Sequence, residues 1–203
     1  MNILKNRQSI VKILTLGLFL ALGTGCGGIK GETKDMGKQI KKQNKVLVAY
    51  FSASGNTEKV AKSLAGVLGA DVFKIEPQEP YTNADLDYNN KSSRVCKEHD
   101  EGTEPPIRQK VQNMGQYDVV VLGYPIWWGE APGVVNTFLK GHDFVQKTIV
   151  PFCTSGGSGF GASGKKLAKY ASKATWTSGG QLNPGVSAME LKDWLQKQGL
   201  NVK

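Results

Sequence analysis

Lys45 to Lys62 reads KVLVAYFSASGNTEKVAK: a strand-length apolar run, a short turn of hydroxyls, one amide and one glycine, then the start of a helical stripe. Continuous hydrophobicity over a strand length marks a strand covered on both faces, as in a parallel sheet. The same signature returns at Tyr117 to Gly123 (YDVVVLG) and Lys147 to Cys153 (KTIVPFC). Val72 to Ile75 is a weaker strand, and Ala174 to Thr177 is assigned to an edge. Between them lie helical patterns. Thr57 to Leu68 sets Val60, Ala61, Leu64, Val67 and Leu68 on one stripe, with Gly69 as its stop. Pro132 suits the first turn of a helix carrying Val134, Val135, Phe138 and Leu139. Gly164 to Ala171 is a short helix. Ser187 and Glu190 have capping-box spacing, Val186 and Leu191 can form the accompanying staple, and Gly199 ends that last helix. Strand–helix alternation of this kind predicts an α/β doubly wound sandwich. Pro151 conflicts with it, because an inner strand needs the N–H that proline lacks; a bulge or local kink is expected there.

The chain has 203 residues, 39% of them hydrophobic and 21% charged, which excludes wholesale disorder and a polytopic membrane protein. Its 25 glycines follow no Gly-X-Y period, so collagen is excluded, and three cysteines are too few for a disulfide framework. The net charge of +9 divides evenly into thirds. Residues 1–25 carry Lys5, Arg7 and Lys12 with no acid; residues 27–44 carry five lysines against Glu32 and Asp35. The remainder is therefore only mildly basic and shows no basic stripe with interleaved aromatics, which argues against nucleic-acid binding.

The N-terminus has the layout of an export signal. A basic start leads into Ile13 to Leu22 (ILTLGLFLAL), then Gly23-Thr24-Gly25 and Cys26. The apolar run is too short for a comfortable transmembrane helix. A cysteine directly after small residues resembles a bacterial lipoprotein signal, with Cys26 as the lipidated residue, although Gly23 stands where an aliphatic residue is usual. Residues 1–25 are thus expected to be a signal peptide. Residues 26–44 form a flexible basic tether, and residues 45–203 the folded domain. An acyl anchor with nearby lysines would hold the protein to the outer face of an anionic membrane.

Three loops that follow predicted strands carry the chemistry, since ligands of such sheets bind beyond the strands' carboxyl ends. Ser52, Ser54, Gly55, Asn56 and Thr57 gather neutral donors at a helix start, where a phosphate is well placed. Pro125, Ile126, Trp127, Trp128 and Gly129 put two adjacent indoles at a strand end, and at least one of them must face away from the sheet. Ser155, Gly156, Gly157, Ser158 and Gly159 offer small residues and free N–H groups to a flat ring. Gly159 to Lys166 (GFGASGKK) imitates a nucleotide-hydrolysing P-loop until its last position, where Lys166 replaces the Mg²⁺-binding hydroxyl. Tyr81 to Pro106 is a long polar excursion with room for a short helix between Asp85 and Glu101.

LVAYFSASGNTEKVAK, VVVLGYPIWWGEAPGVVNTFL and IVPFCTSGGSGFG together resemble the flavodoxins, in particular short-chain flavodoxin-like proteins with a Tyr-Pro-Ile-Trp-Trp-Gly loop. The resemblance spans Lys45 to Gly199. It implies a flavodoxin-like five-stranded parallel sheet in the order 2-1-3-4-5 that binds FMN non-covalently. By motif match, Ser52 to Thr57 would take the phosphate. Pro125 to Gly129 would border the isoalloxazine, with Trp127 the first choice for contact, and Ser155 to Gly159 would line its pyrimidine side. A site without a cation would disfavour the reduced, anionic flavin and lower its potential.

The first functional reading is an electron carrier tethered to the outer face of a bacterial membrane, its partner a redox protein or a membrane quinone. The alternatives are an FMN-dependent NAD(P)H:quinone-type reductase and a binding domain that has lost FMN. No catalytic residue and no metal site is assigned. His99 and His142 are read as isolated loop residues. Cys96 and Cys153 are read as buried thiols, with a disulfide open to them in an oxidising compartment.

Overall fold

A computed structural model describes residues 44–200. The segments expected to be a signal peptide (residues 1–25) and a tether (residues 26–44), with the expected lipidation site Cys26, lie outside the described residues save for residue 44. Four strands come in chain order: β1 (Val46–Tyr50), β2 (Asp71–Lys74), β3 (Val119–Pro125) and β4 (Thr148–Thr154). The fifth sheet position is shared by two short strands, β5 (Thr175–Trp176) and β6 (Gly180–Gln181). The sheet is parallel throughout, in the order β2-β1-β3-β4-β5, with β6 also on β4. This is the flavodoxin-like doubly wound topology, with its last strand broken in two.

Alternation along the strands divides the core between two faces. Leu47, Ala49, Val120, Leu122 and Ile149 face α3 (Gly133–Lys140) and α4 (Ser163–Ala168), through Val134, Val135, Phe138, Leu139 and Leu167. Val48, Tyr50, Val119, Val121, Val150 and Phe152 face α1 (Asn56–Leu68) and α5 (Ala188–Lys197), through Val60, Ala61, Leu64, Leu191 and Leu195. On that second face Gly123 is obligatory. A Cβ there would stand 2.2 Å from the Phe152 ring of the adjacent strand. The capping box of α5 forms as the spacing predicts, with Ser187 Oγ accepting from Glu190 N–H while the Glu190 carboxylate accepts from Ser187 N–H.

Pro151 resolves its conflict by geometry. The carbonyls of Ile149 and Cys153 accept from Thr177 and Leu182, so alternate residues of β4 turn their polar groups toward the fifth position. Pro151 falls between them, and its nitrogen faces the gap between β5 and β6. One extra residue on the outer strand shifts the pairing from Ile149↔Trp176 to Phe152↔Gly180. The break is therefore a bulge opposite the proline, and no ladder bond is lost. The strand expected at Ala174 to Thr177 is thus shorter than anticipated and continues beyond a bend.

His142, half-buried after α3, clips the 111–142 region together. Val111 N–H donates to its Nε2 over 2.9 Å, so Nδ1 carries the proton and donates to the Phe138 carbonyl over 2.8 Å. Burial depresses its pKa below the usual value, and Lys110 adds to the effect. Protonation would set an N–H against the Val111 N–H. A depressed folded pKa contributes stability above the unfolded value of about 6.5 and loses it as pH falls through the folded value. The urea midpoint should accordingly drop as pH is lowered from about 6.5 toward 5, and His142→Gln should flatten that part of the profile.

Candidate functional site

β1 ends by burying Phe51 in the core, and the chain turns at once into α1. Gly55 makes that turn at φ 84°, and no side chain caps the helix. The first N–H groups of α1 therefore keep their positive end free. Immediately before them, the Ser52 hydroxyl is buried with no hydrogen-bond partner among the described residues. Ser54 and Asn56 are exposed, while Thr57 is buried and its hydroxyl bridges to Thr154 Oγ1 over 2.8 Å at the end of β4. Ile126 N–H donates to the Thr154 carbonyl over 2.9 Å. The start of α1 and the ends of β3 and β4 are thus tied to one another through Thr154.

Beyond β3, Trp127 and Glu130 exchange two backbone hydrogen bonds of 2.9 Å around Trp128 and Gly129, at φ 48° and 79°. Two successive left-handed residues make a tight two-residue turn. For glycine this is free; for tryptophan it costs about 1–2 kcal/mol. The turn sends the indoles apart. Trp127 is half-buried, edge-on to Phe51 and Tyr81 at 5.5 and 5.6 Å. Trp128 is 45% exposed and stacks on the His99 imidazole at 4.5 Å with the rings 11° from parallel.

The long excursion forms the roof. Its helix α2 (Arg94–Glu101) is capped by Ser93, whose hydroxyl accepts from Cys96 N–H. Glu98 accepts from the Tyr81 phenol over 2.5 Å and from Arg94 Nε over 2.6 Å, while the Arg94 guanidinium lies 4.3 Å from the Tyr81 ring centre. Burial first and the Glu98 carboxylate second raise the Tyr81 pKa, keeping the phenol neutral. His99 therefore sits on a helix, not in the loop expected for it.

These elements enclose a cleft of about 380 Å³ lined by Ala53, Ser54, Leu86, Tyr88, Val95 and Pro125 to Trp128. Of the predicted site residues, Ser54 and Pro125 to Trp128 line this cleft, while Ser52, Gly55, Asn56, Thr57 and Gly129 do not. The third predicted loop does not line it either: Ser155 to Gly159 folds around Ser155 Oγ, which accepts from Gly157 and Gly159 N–H at 3.2 Å each. Leu86, Tyr88 and Val95 were not anticipated as lining residues. They sit in a polar segment whose only sequence signal was its length. Cys96 and Cys153 are both buried free thiols, and burial pushes Cys153 up to about 12. Among the described residues no group of His, Cys, Asp or Glu could hold a metal ion, and no helix is long and apolar enough to cross a membrane.

The fold and site define a doubly wound protein with its cleft at the carboxyl ends of its central strands. The flavodoxin family model matches residues 45–198. The structure is similar to that of a candidate flavoprotein from Bacteroides eggerthii, with 44% identity and a TM-score of 0.74, over 78% of this chain and 100% of that one. It is similar to one from Bacteroides uniformis, with 38% identity and a TM-score of 0.71, over 76% of this chain and 99% of that one. A Lactobacillus acidophilus flavoprotein crystallised in complex with FMN shares the fold at 19% identity and a TM-score of 0.55, over 74% of this chain and 98% of that one. The chain belongs to the flavodoxin family.

A buried hydroxyl without a partner carries a desolvation penalty of about 1–3 kcal/mol. Ser52→Ala removes that penalty with little change in volume. The ligand-free variant is therefore expected to be at least as stable as the parent, by up to about 1 kcal/mol, in urea denaturation; a clear loss of stability would contradict the assignment.

Proposed function

We propose that the protein binds FMN in this cleft and works as an electron carrier. The observation that carries the reading is the pairing of the orphaned Ser52 hydroxyl with an uncapped α1 N-terminus, beside a cleft walled by indoles. This donor set is neutral and convergent, which suits the phosphate of a mononucleotide. Ser52, Ser54, Gly55, Asn56 and Thr57 would hold that phosphate. Pro125, Ile126, Trp127, Trp128 and Gly129 would border the ring system; Ser155 to Gly159, which stand outside the cleft's wall, would approach its pyrimidine side only by the family resemblance. Bound FMN supplies one- and two-electron redox chemistry. The chain's own part is to bind and orient the ring, and to keep water from the face that the Phe51, Tyr81 and Trp127 cluster covers.

Leu86, Tyr88 and Val95 support a second reading. They roof the cleft, as a reductase of quinones with a substrate pocket over the flavin would require. Turnover of NAD(P)H with a quinone separates the two: a carrier shows none.

The purified domain should take up one FMN per chain and release it on acid precipitation. Ser52→Ala should weaken that binding about tenfold, the equivalent of one hydrogen bond to a charged group. The bound flavin should show a midpoint potential below that of free FMN. Failure to bind FMN, or a midpoint above the free cofactor, would overturn the reading.

The site of action follows from the N-terminal sequence. We propose that the signal is cleaved before Cys26, that this cysteine is lipidated, and that residues 26–44 tether the domain at the outer face of the membrane. The partner there is a redox protein or a quinone. Cys26→Ala should move the protein from the membrane fraction to the soluble fraction and abolish acyl labelling. Retention in the membrane with no label would point instead to an uncleaved anchor.

A further inference from the structure

A second groove adjoins the cleft at Val95, Trp127 and Trp128, which line both. One stretch, of about 170 Å³, is lined by Trp127, Trp128, His99, Gly133, Asn136 and Tyr170 among others. A neighbouring stretch of about 220 Å³ is lined by Lys166 and Lys169. The two share Glu130, Ala131, Asn136 and Tyr170, so they form one continuous channel. Together they approach the size of a small-molecule site, about 300–1,000 Å³.

The two ends differ in chemistry. At one end the indoles offer flat apolar surface. In the middle, neither the Asn136 amide nor the Tyr170 hydroxyl has a hydrogen-bond partner among the described residues. At the other end the charges do not cancel. The groove's carboxylates are engaged: Glu98 by Tyr81 and Arg94, Glu104 by Lys140, and Glu130 by Lys166. Lys169 lies over the Tyr170 ring at 4.7 Å, with no carboxylate in ion-pair range among the described residues. One positive charge is left over at the lysine end. Gly133 holds the walls together, since a Cβ there would stand 2.2 Å from the Thr103 carbonyl oxygen.

We infer that this groove binds a nucleotide, with its planar heteroaromatic ring against Trp127 and Trp128, its polar ring substituents on Asn136 and Tyr170, and its phosphate at Lys169, the lysine left without a carboxylate. Lys166, the residue that spoils the P-loop pattern in Gly159 to Lys166, neutralises Glu130 on the groove's wall and so leaves the charge of Lys169 uncancelled. The groove shares Val95, Trp127 and Trp128 with the cleft assigned to FMN and runs from them to Lys166 and Lys169, which that cleft does not reach. It is a separate site that goes beyond that assignment.

The test is calorimetric titration, at low salt, of the purified full chain after incubation with FMN and removal of unbound FMN by gel filtration. The probes are nicotinamide mononucleotide, adenosine monophosphate and inorganic phosphate. At least one nucleotide should bind saturably at one per chain, and more tightly than phosphate alone. Lys169→Glu should weaken it about tenfold. Asn136→Leu should weaken it also, and Lys197→Glu on the distant α5 should leave it unchanged. Absence of saturable binding by both nucleotides, equal binding of inorganic phosphate, or parental affinity in both Lys169→Glu and Asn136→Leu would overturn the inference. Flavin absorbance in the same sample scores the FMN reading separately. A chain that takes FMN but no nucleotide refutes only the groove, and one that takes a nucleotide but no FMN refutes only the cleft.

Discussion

The first backbone N–H groups of α1 have no intrahelical acceptor, and the chain supplies no side chain to cap them. Much of the site is arranged around that constraint. The turn from β1 is so short that the Ser52 hydroxyl remains buried, and Gly55 must take a left-handed conformation to start the helix. The concentration of positive partial charge then lies at the carboxyl edge of the sheet, where β3 and β4 also end. Thr154 binds that edge together. Its hydroxyl meets Thr57 in α1 and its carbonyl accepts from Ile126 just beyond β3. The two loops that line the cleft are consequently positioned by the buried sheet and not by their own flexibility.

The central strands were legible in the sequence because each is buried on both faces and reads as an unbroken apolar run. Helices α1 and α5 were legible because an apolar stripe coincides with a stop or a cap, Gly69 for one and Ser187 with Glu190 for the other. The fifth strand was only half legible. Its two pieces of two residues each lie below any pattern length, and the bulge between them is set by Pro151 on a different strand. The presence of an N-cap in α2 was likewise obscured, since only Val95 and Cys96 of its eight residues are buried. Two apolar neighbours define no helical period.

The double tryptophan shows where local reading ends. That the indoles must part was readable from their adjacency. Which one enters the core was not, because the answer depends on partners distant in sequence. Trp127 is received by Phe51 and Tyr81, and Trp128 by His99. Tyr81 is in turn held by Glu98, the residue next to His99. One turn of α2 thus fixes both indoles, one through a phenol and one by direct stacking.

This arrangement explains how a strained turn persists. The left-handed tryptophan is opposed by about 1–2 kcal/mol, a cost that a short loop alone would relieve by relaxing. The reciprocal hydrogen bonds of Trp127 and Glu130 oppose that relaxation, and so does the His99 stack. The parallel stack of an imidazole on an indole requires both the helix and the turn to be in register. A shift of α2 along its axis would loosen Trp128 directly and Trp127 through Tyr81. The excursion between β2 and β3 is therefore part of the site's architecture. The sheet determines where the cleft lies, and α2 determines the faces it presents.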